Sequence, residues 1–347
     1  MRGNERGGAL IARVSPEKRN PKPLPDSPAC GGLAFLMSPP PVAQPHLGIA
    51  LKIASTLAFT AMATLIKLAS DRYPIGELAF FRSAFALIPV ALWVGWRAFP
   101  GTFRTPRLGG HALRSIAGAI AMFCGFTALS MLPIADATAI GYASPLMTVV
   151  FAVLLLGERV RIYRWSAVFV GLVGVLIILS DYVGPQQGER SFVGAAFSIA
   201  GAVMGALAAT QTRSLTRVEP AATIVVYFSL LTALFMLVTL PFGWVMPDAM
   251  GWLILIAAGT FGGIGQVLLT QSYRFGDASL IAPFDYTSMI WALAVSLVIF
   301  HAWPSAIMLT GTAIVIAAGI FVIWRESRLG IERTRSKRAQ TPTTPLS

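Results

Sequence analysis

Runs of roughly twenty apolar residues succeed one another along this chain, near 47–69, 76–96, 110–130, 134–156, 163–180, 191–211, 221–241, 250–272, 278–300 and 304–324. Each is about long enough to cross a hydrocarbon core of roughly 30 Å at 1.5 Å per residue. Lipid cannot satisfy exposed backbone groups, and the alternation expected of barrel strands is absent, so the pattern predicts ten membrane-spanning helices, spans 1 to 10. Connections are short, which favours antiparallel neighbours. The longest polar break, Asp181 to Arg190 with Gly184-Pro185, separates two groups of five. Residues 1–45 are basic and proline-rich, with Pro-Pro-Pro at 39–41 and no apolar core of signal-peptide length, and read as a disordered cytoplasmic tail. Met37 opens the last part of that tail, so residues 1–36 are expected to be dispensable for insertion. Residues 326–347 read as a second basic tail.

The two groups repeat a motif. Asp136-Ala137-Thr138 followed by Tyr142-Ala143-Ser144-Pro145 in the first half answers Asp277-Ala278-Ser279 followed by Tyr286-Thr287-Ser288-Met289 in the second. The tyrosine triplets are 144 residues apart and the Asp-Ala pairs 141, the slip expected of an old duplication. Five is odd, so the second group must sit upside down relative to the first. The expected fold is therefore an all-α membrane protein of ten transmembrane helices, built as two inverted five-helix repeats over 46–180 and 191–325. Inverted repeats around a midplane site are the usual build of secondary transporters.

Composition agrees: 55% of residues are hydrophobic and only 12% charged, against about 25% charged in a soluble domain. The net charge of +12 is largely topological. Twenty-two lysines and arginines fall in the tails and the alternate connections that share their side, including Arg97 to Arg114, Arg159, Arg161, Arg164, Arg213, Arg217 and Arg274. Only Arg72 and Arg190 fall opposite, which places both termini in the cytoplasm and makes a nucleic-acid partner unnecessary. Cys30 and Cys124 form no disulfide framework or metal-ligand spacing.

Ionisable residues inside a span are expensive and mark pathways or pairs. Lys52, a turn from the cytoplasmic end of span 1, can snorkel. Lys67 and Glu77, at the outer ends of adjacent spans, either pair or are solvated separately. Arg82 lies too deep in span 2 to be an interfacial anchor and reads as a substrate contact, the alternative being a clamp on carbonyls. Asp277 suits a helix N-terminus. Asp285, seven residues into span 9, cannot be assumed to reach Arg82. Without a fixed partner it either carries a proton or meets a cationic substrate group, unless it merely bonds a neighbouring helix. Pro145 and Pro283 leave the carbonyls of Gly141 and Ser279 without helical partners, marking places where spans 4 and 9 open toward a cavity; Pro89 is as well explained by a packing kink. Gln211, Gln266 and Gln271 serve a substrate or glue helices, and Gly201-x-x-x-Gly205 and Gly259-x-x-x-Gly263 read as close-packing faces.

The segments Pro133 to Thr138, Ser144-Pro145-Leu146, Leu156-Gly157-Glu158-Arg159 with Trp165, and Arg274 to Ser288 together resemble the drug/metabolite transporter superfamily, in its ten-helix group with paired EamA-type repeats. The resemblance covers about 46–325. One departure is Ala302 before Trp303-Pro304, where the second repeat usually carries Glu-x-Pro. The resemblance implies alternating access through a central cavity lined partly by spans 3, 4, 8 and 9. It also implies small metabolites as substrates, of kinds that range from amino acids to riboflavin and S-adenosylmethionine. No phosphate-binding loop of an ATP-driven pump occurs, and His46, His111 and His301 are too scattered for a metal enzyme, so the chain reads as neither pump nor enzyme and calls for no cofactor or metal. A lipid-linked carrier flippase or a channel could use the same bundle. The expected function is secondary transport of a small metabolite across the cytoplasmic membrane. The expected substrate or proton-coupling residues are Asp285, Tyr286, Tyr142, Arg82, Gln266 and Ser288. Substrate, direction, coupling ion and oligomeric state stay open at this level.

Overall fold

The computed structural model describes residues 45–95, 99–103, 105–156, 162–182, 188–215, 218–275 and 282–340. The N-terminal tail with Met37, the Gly157-Glu158-Arg159 motif, Gly184-Pro185 and Asp277 to Ser279 lie outside these residues. The described chain is helical throughout: α1 Pro45–Ala69, α2 Ile75–Val94, α3 Leu108–Met131, α4 Ile134–Gly141, α5 Ala143–Leu156, α6 Ile162–Ser180, α7 Gly188–Leu215, α8 Ala221–Met236, α9 Ala249–Phe275, α10 Thr287–Val298 and α11 Ala306–Gln340. Among the described residues nine helical stretches are long and apolar enough to cross a bilayer, α4 and α5 counting together, and Phe284–Val298 is a shorter tenth.

Local chemistry explains where these helices start and stop. Pro74, Pro133 and Pro220 occupy the N-cap positions of α2, α4 and α8 with φ near −58°, −54° and −61°, a value the ring presets. Glu77 and Asp136 follow in the first turns of α2 and α4, where an acid complements the helix dipole. Asp248 precedes α9 and its Oδ1 accepts from Gly251 N at 2.6 Å and from Tyr73 Oη at 3.2 Å. The Gly251 N–H above all holds this carboxyl below the usual range.

Two spans change geometry at the prolines singled out in the sequence. Span 4 is interrupted: α4 ends at Gly141, whose carbonyl Pro145 cannot reach with an N–H, and Tyr142 closes a tighter turn from its N–H to Ala139 O at 3.2 Å. Among the described residues of span 9, a 3₁₀ segment over Ala282–Tyr286 that contains Pro283 leads into the α-helix that begins at Thr287. Pro89, by contrast, lies within an unbroken α2 and packs toward Gly263. Span 10 also outruns its apolar stretch, continuing as helix to Gln340.

Surface and core follow the solvent. Large apolar side chains such as Leu92, Phe169, Val298 and Trp303 point outward, as lipid contact allows, whereas the buried set is dominated by alanine. Small residues let helices approach. α3 lies along α7, α1 along α9, α6 along α11, and α2 against α8 and α9. In span numbers the first two pairs are 3 with 6 and 8 with 1. Exchanging the two groups of five therefore turns one into the other and leaves the α6–α11 pair in place.

The α6–α11 seam brings two backbones close together. A Cβ on Gly311 would lie 2.6 Å from the Gly174 carbonyl oxygen, and one on Gly174 would lie 2.8 Å from the Gly311 carbonyl oxygen. Backbone cannot step aside as a side-chain tip can, so Gly311→Val is expected to cost about 1–3 kcal/mol and to lower the melting temperature of the purified protein. Gly109→Ala, where the added carbon meets open space, is the control and should melt like the parent.

Candidate functional site

The two interrupted spans meet. Tyr142, between α4 and α5, and Tyr286, at the end of the 3₁₀ segment, place their rings 5.1 Å apart at 71°, edge to face. Tyr142 Oη lies 2.7 Å from Ser288 Oγ, which itself donates to the Asp285 carbonyl at 2.7 Å. The Tyr286 hydroxyl abuts Gly319 of α11. Three residues singled out by the repeat motif are thus brought together by the breaks themselves.

Asp285 stands beside this junction and does have a fixed partner. Its Oδ1 is 2.5 Å from Lys52 Nζ, the lysine side chain being 2% exposed and the aspartate 50%. The snorkelling expected of Lys52 is therefore corrected: the side chain turns inward because a carboxylate is available there, which offsets the cost of burying the ammonium. One turn on, Thr56 Oγ1 lies 2.9 Å from Thr287 Oγ1 and accepts from Trp291 Nε1 at 3.2 Å. These contacts bind α1 to span 9 at the end of the bundle where α1 begins.

At the opposite end lies a cavity of about 350 Å³. Its wall is drawn from α1 at Ala63, α3 at Met122 and Phe126, α4 at Thr138 and α7 at Ser198. Its lining also includes Gly141 and Ser144, which flank Tyr142. The cavity thus borders the backbone on either side of Tyr142, while the side chains of Tyr142, Tyr286 and Ser288 are not among its lining residues. Spans 3 and 4 line it as the family resemblance implied, and spans 1 and 6 complete the described wall. Spans 8 and 9 pack against α1.

Other expected partners separate. Glu77 is buried and accepts from Val245 N at 2.9 Å, while Lys67 donates to the carbonyls of Leu129 and Leu132 at 2.8 and 2.7 Å, capping the end of α3. They do not pair, because each finds an unsatisfied backbone group nearer at hand. Asp136 accepts from Tyr182 Oη at 2.6 Å. Gln266 sits half-buried on α9, and among the described residues no hydrogen bond joins it to the tyrosines. Arg82 is away from Asp285, its Nε 3.4 Å from Met62 Sδ and its guanidinium 5.9 Å from the Phe228 ring centre. Arg114, which the charge count treated as part of a connection, is in α3 and buried, 3.9 Å from the same ring centre. The signal that could have revealed it is its place one turn after His111 and before Gly118, on one helical face.

The chain matches the EamA-like transporter family twice, over residues 46–180 and 192–325. It is 27% identical over 277 residues to the pseudopaline exporter CntI of Pseudomonas aeruginosa (strain UCBPP-PA14), a match covering 79% of this chain and 94% of that protein. It is 26% identical to the S-adenosylmethionine uptake transporter of Rickettsia bellii, over 81% of this chain and 95% of the other. To the riboflavin transporter of Vibrio cholerae it is 27% identical, over 82% and 95%. A solved crystal structure, 22% identical and covering 78% of this chain and 94% of its own, superposes with a TM-score of 0.57, a likeness of fold.

Proposed function

We propose that this chain, which belongs to the EamA-like transporter family, moves a small polar or amphipathic metabolite across the cytoplasmic membrane by alternating access, as a secondary transporter. That it is a transporter of the small-metabolite kind and not an enzyme follows from the family and its relatives. The observation that carries the mechanism is the asymmetry of the tyrosine junction. A cavity borders its backbone at Gly141 and Ser144 from one end, while Lys52–Asp285, Thr56–Thr287 and Trp291 tie α1 to span 9 toward the other. Exchange of the helix pairs between the two halves supports an inverted relation, under which the closed side could open as the open side closes.

On this reading both termini are cytoplasmic, the cavity faces outward and the Lys52–Asp285 pair is an inner gate. Tyr142, Tyr286 and Ser288 form a floor beneath the cavity that meets substrate, and Asp285 acts through the gate. Gln266 and Arg82 act away from this floor. Uptake of labelled metabolites into proteoliposomes, compared with lipid scrambling in the same vesicles, tests the function. Uptake without scrambling supports it, and scrambling alone would make the bundle a flippase.

The orientation has its own test. Glu189 is exposed at the start of α7, and Arg328 is exposed in the second half of α11, just past its apolar stretch. With Cys30 replaced by Ser and Cys124 buried, Glu189→Cys is expected to react with an impermeant thiol reagent added to intact cells, and Arg328→Cys only after permeabilisation. The opposite pattern would invert the topology. Neighbouring Gly188 is a poorer position, since its φ of +72° strains any other residue.

A further inference from the structure

Away from the tyrosine junction, among α2, α3 and α8, the bundle holds a second polar centre that the proposed floor and gate do not use. Arg82 of α2 and Arg114 of α3 are only 5% and 8% exposed, and both guanidiniums lie against the one ring of Phe228 on α8. Room for this is made by glycines: a Cβ on Gly118 would meet Phe228 at 2.6 Å, and one on Gly262 would meet Arg82 Nε at 2.9 Å. Among the described residues neither guanidinium has a carboxylate within ion-pair distance. Glu219, the buried acid of this region, accepts from Thr105 Oγ1 at 2.6 Å and faces His111 at 4.0 Å.

Two buried like charges around one ring are costly unless something negative joins them. The cation–π contacts offset only part of that cost. Unused hydrogen-bonding capacity is concentrated in the same place. Arg114 gives its Nε to Thr212 Oγ1 at 3.0 Å, but its Nη1 has no hydrogen-bond partner among the described residues. The other buried side-chain atoms in that condition are both ring nitrogens of His111, Ser115 Oγ and Thr232 Oγ1. All five atoms belong to α3 and α8, the two helices that carry Arg114 and Phe228.

Neighbours of the centre reach the cavity wall. Met62, which receives Arg82 Nε, precedes cavity-lining Ala63, and cavity-lining Met122 receives Ser83 Oγ at 3.7 Å. Thioether side chains are flexible enough to yield passage or to transmit a ligand's presence. We infer that Arg82 and Arg114, held by Phe228, form a binding site for the oxyanion of the transported metabolite, a carboxylate or a phosphate. This deepens the transport reading and rests on it for the word transported, while the site itself can be tested by binding alone. Planar forks suit such groups, which accept two parallel N–H bonds from a guanidinium.

The test is thermal unfolding of the purified full-length chain in uncharged detergent, titrated with sodium succinate or inorganic phosphate and, at matched ionic strength, sodium chloride. The parent is expected to show a saturable rise in melting temperature with succinate or phosphate and none with chloride, and whichever anion acts names the group. R82Q, R114Q and R114K should each weaken the midpoint about tenfold or more. Without added anion, R82Q and R114Q should melt no lower than the parent, since each removes one of two like charges. Three results would overturn the site: no saturable shift in the parent, equal shifts in parent and variants, or lower melting of both Gln variants without anion, the mark of a structural clamp. If R114Q does not accumulate, R114K, which keeps the charge and loses the fork, decides. Failure here leaves vesicle uptake intact, whereas failure of the transport reading appears as absent uptake with anion binding retained.

Discussion

Asp285→Asn is expected to reduce transport about tenfold or more, roughly 1.4 kcal/mol or above, while membrane abundance holds. Asparagine keeps the shape and can still accept from Lys52 Nζ, which sits 2.5 Å away, but it leaves the ammonium of a side chain only 2% exposed without its counter-charge. Removing one member of a fully buried pair costs about 3–5 kcal/mol. Asp285 is half-exposed, so solvent screening brings the figure down here. The effect falls on the hold between α1 and span 9 more than on folding, because Thr56–Thr287 and the α1–α9 contact stay in place. Lys52→Gln should act in the same direction, and the exchange Lys52→Asp with Asp285→Lys should restore part of the activity by rebuilding the pair. Uptake at the parental rate in Asp285→Asn, at equal abundance, would reduce the pair to a packing contact.

Gly141→Phe should abolish transport by a different route, with folding undisturbed. Gly141 ends α4 and lines the cavity; a Cβ placed there meets nothing within 4 Å, and its backbone is not among the positive-φ glycines. An aromatic ring can therefore enter the cavity without a clash in the bundle, filling the approach to Tyr142. The expected result is parental abundance and melting temperature with uptake down at least about tenfold. A small substitution, Gly141→Ala, should retain most activity, since one methyl narrows the passage but does not close it. Normal uptake in the Phe variant would show that substrate does not pass this cavity.

The membrane class and the number of spans were legible because burial in lipid acts on every residue of a span, so twenty apolar positions in a row carry the signal many times over. The tyrosine repeat and Pro145 were equally local, and pointed to the junction: a missing N–H interrupts span 4 wherever its partner helices lie. Lys52 was misread because snorkelling and inward pairing look alike along one helix. They differ only by whether a carboxylate stands opposite, and Asp285 is supplied from more than two hundred residues away. Arg114 was hidden in the same manner, its depth set by where α3 begins and its surroundings by Phe228 of α8. Lys67 and Glu77, which the sequence left as a pair or as separately solvated charges, are held apart because carbonyls of Leu129 and Leu132, and the N–H of Val245, compete successfully for these charges.

By itself, then, the order of residues determined what each segment must do with its own backbone and its own solvent: which stretches span, where prolines interrupt them and which five follow which five. Only the tertiary structure decided what the polar side chains do, since a buried charge takes its role from the nearest compensating group. Here those groups, Asp285 for Lys52 and Phe228 for Arg82 and Arg114, come from the other half of the chain.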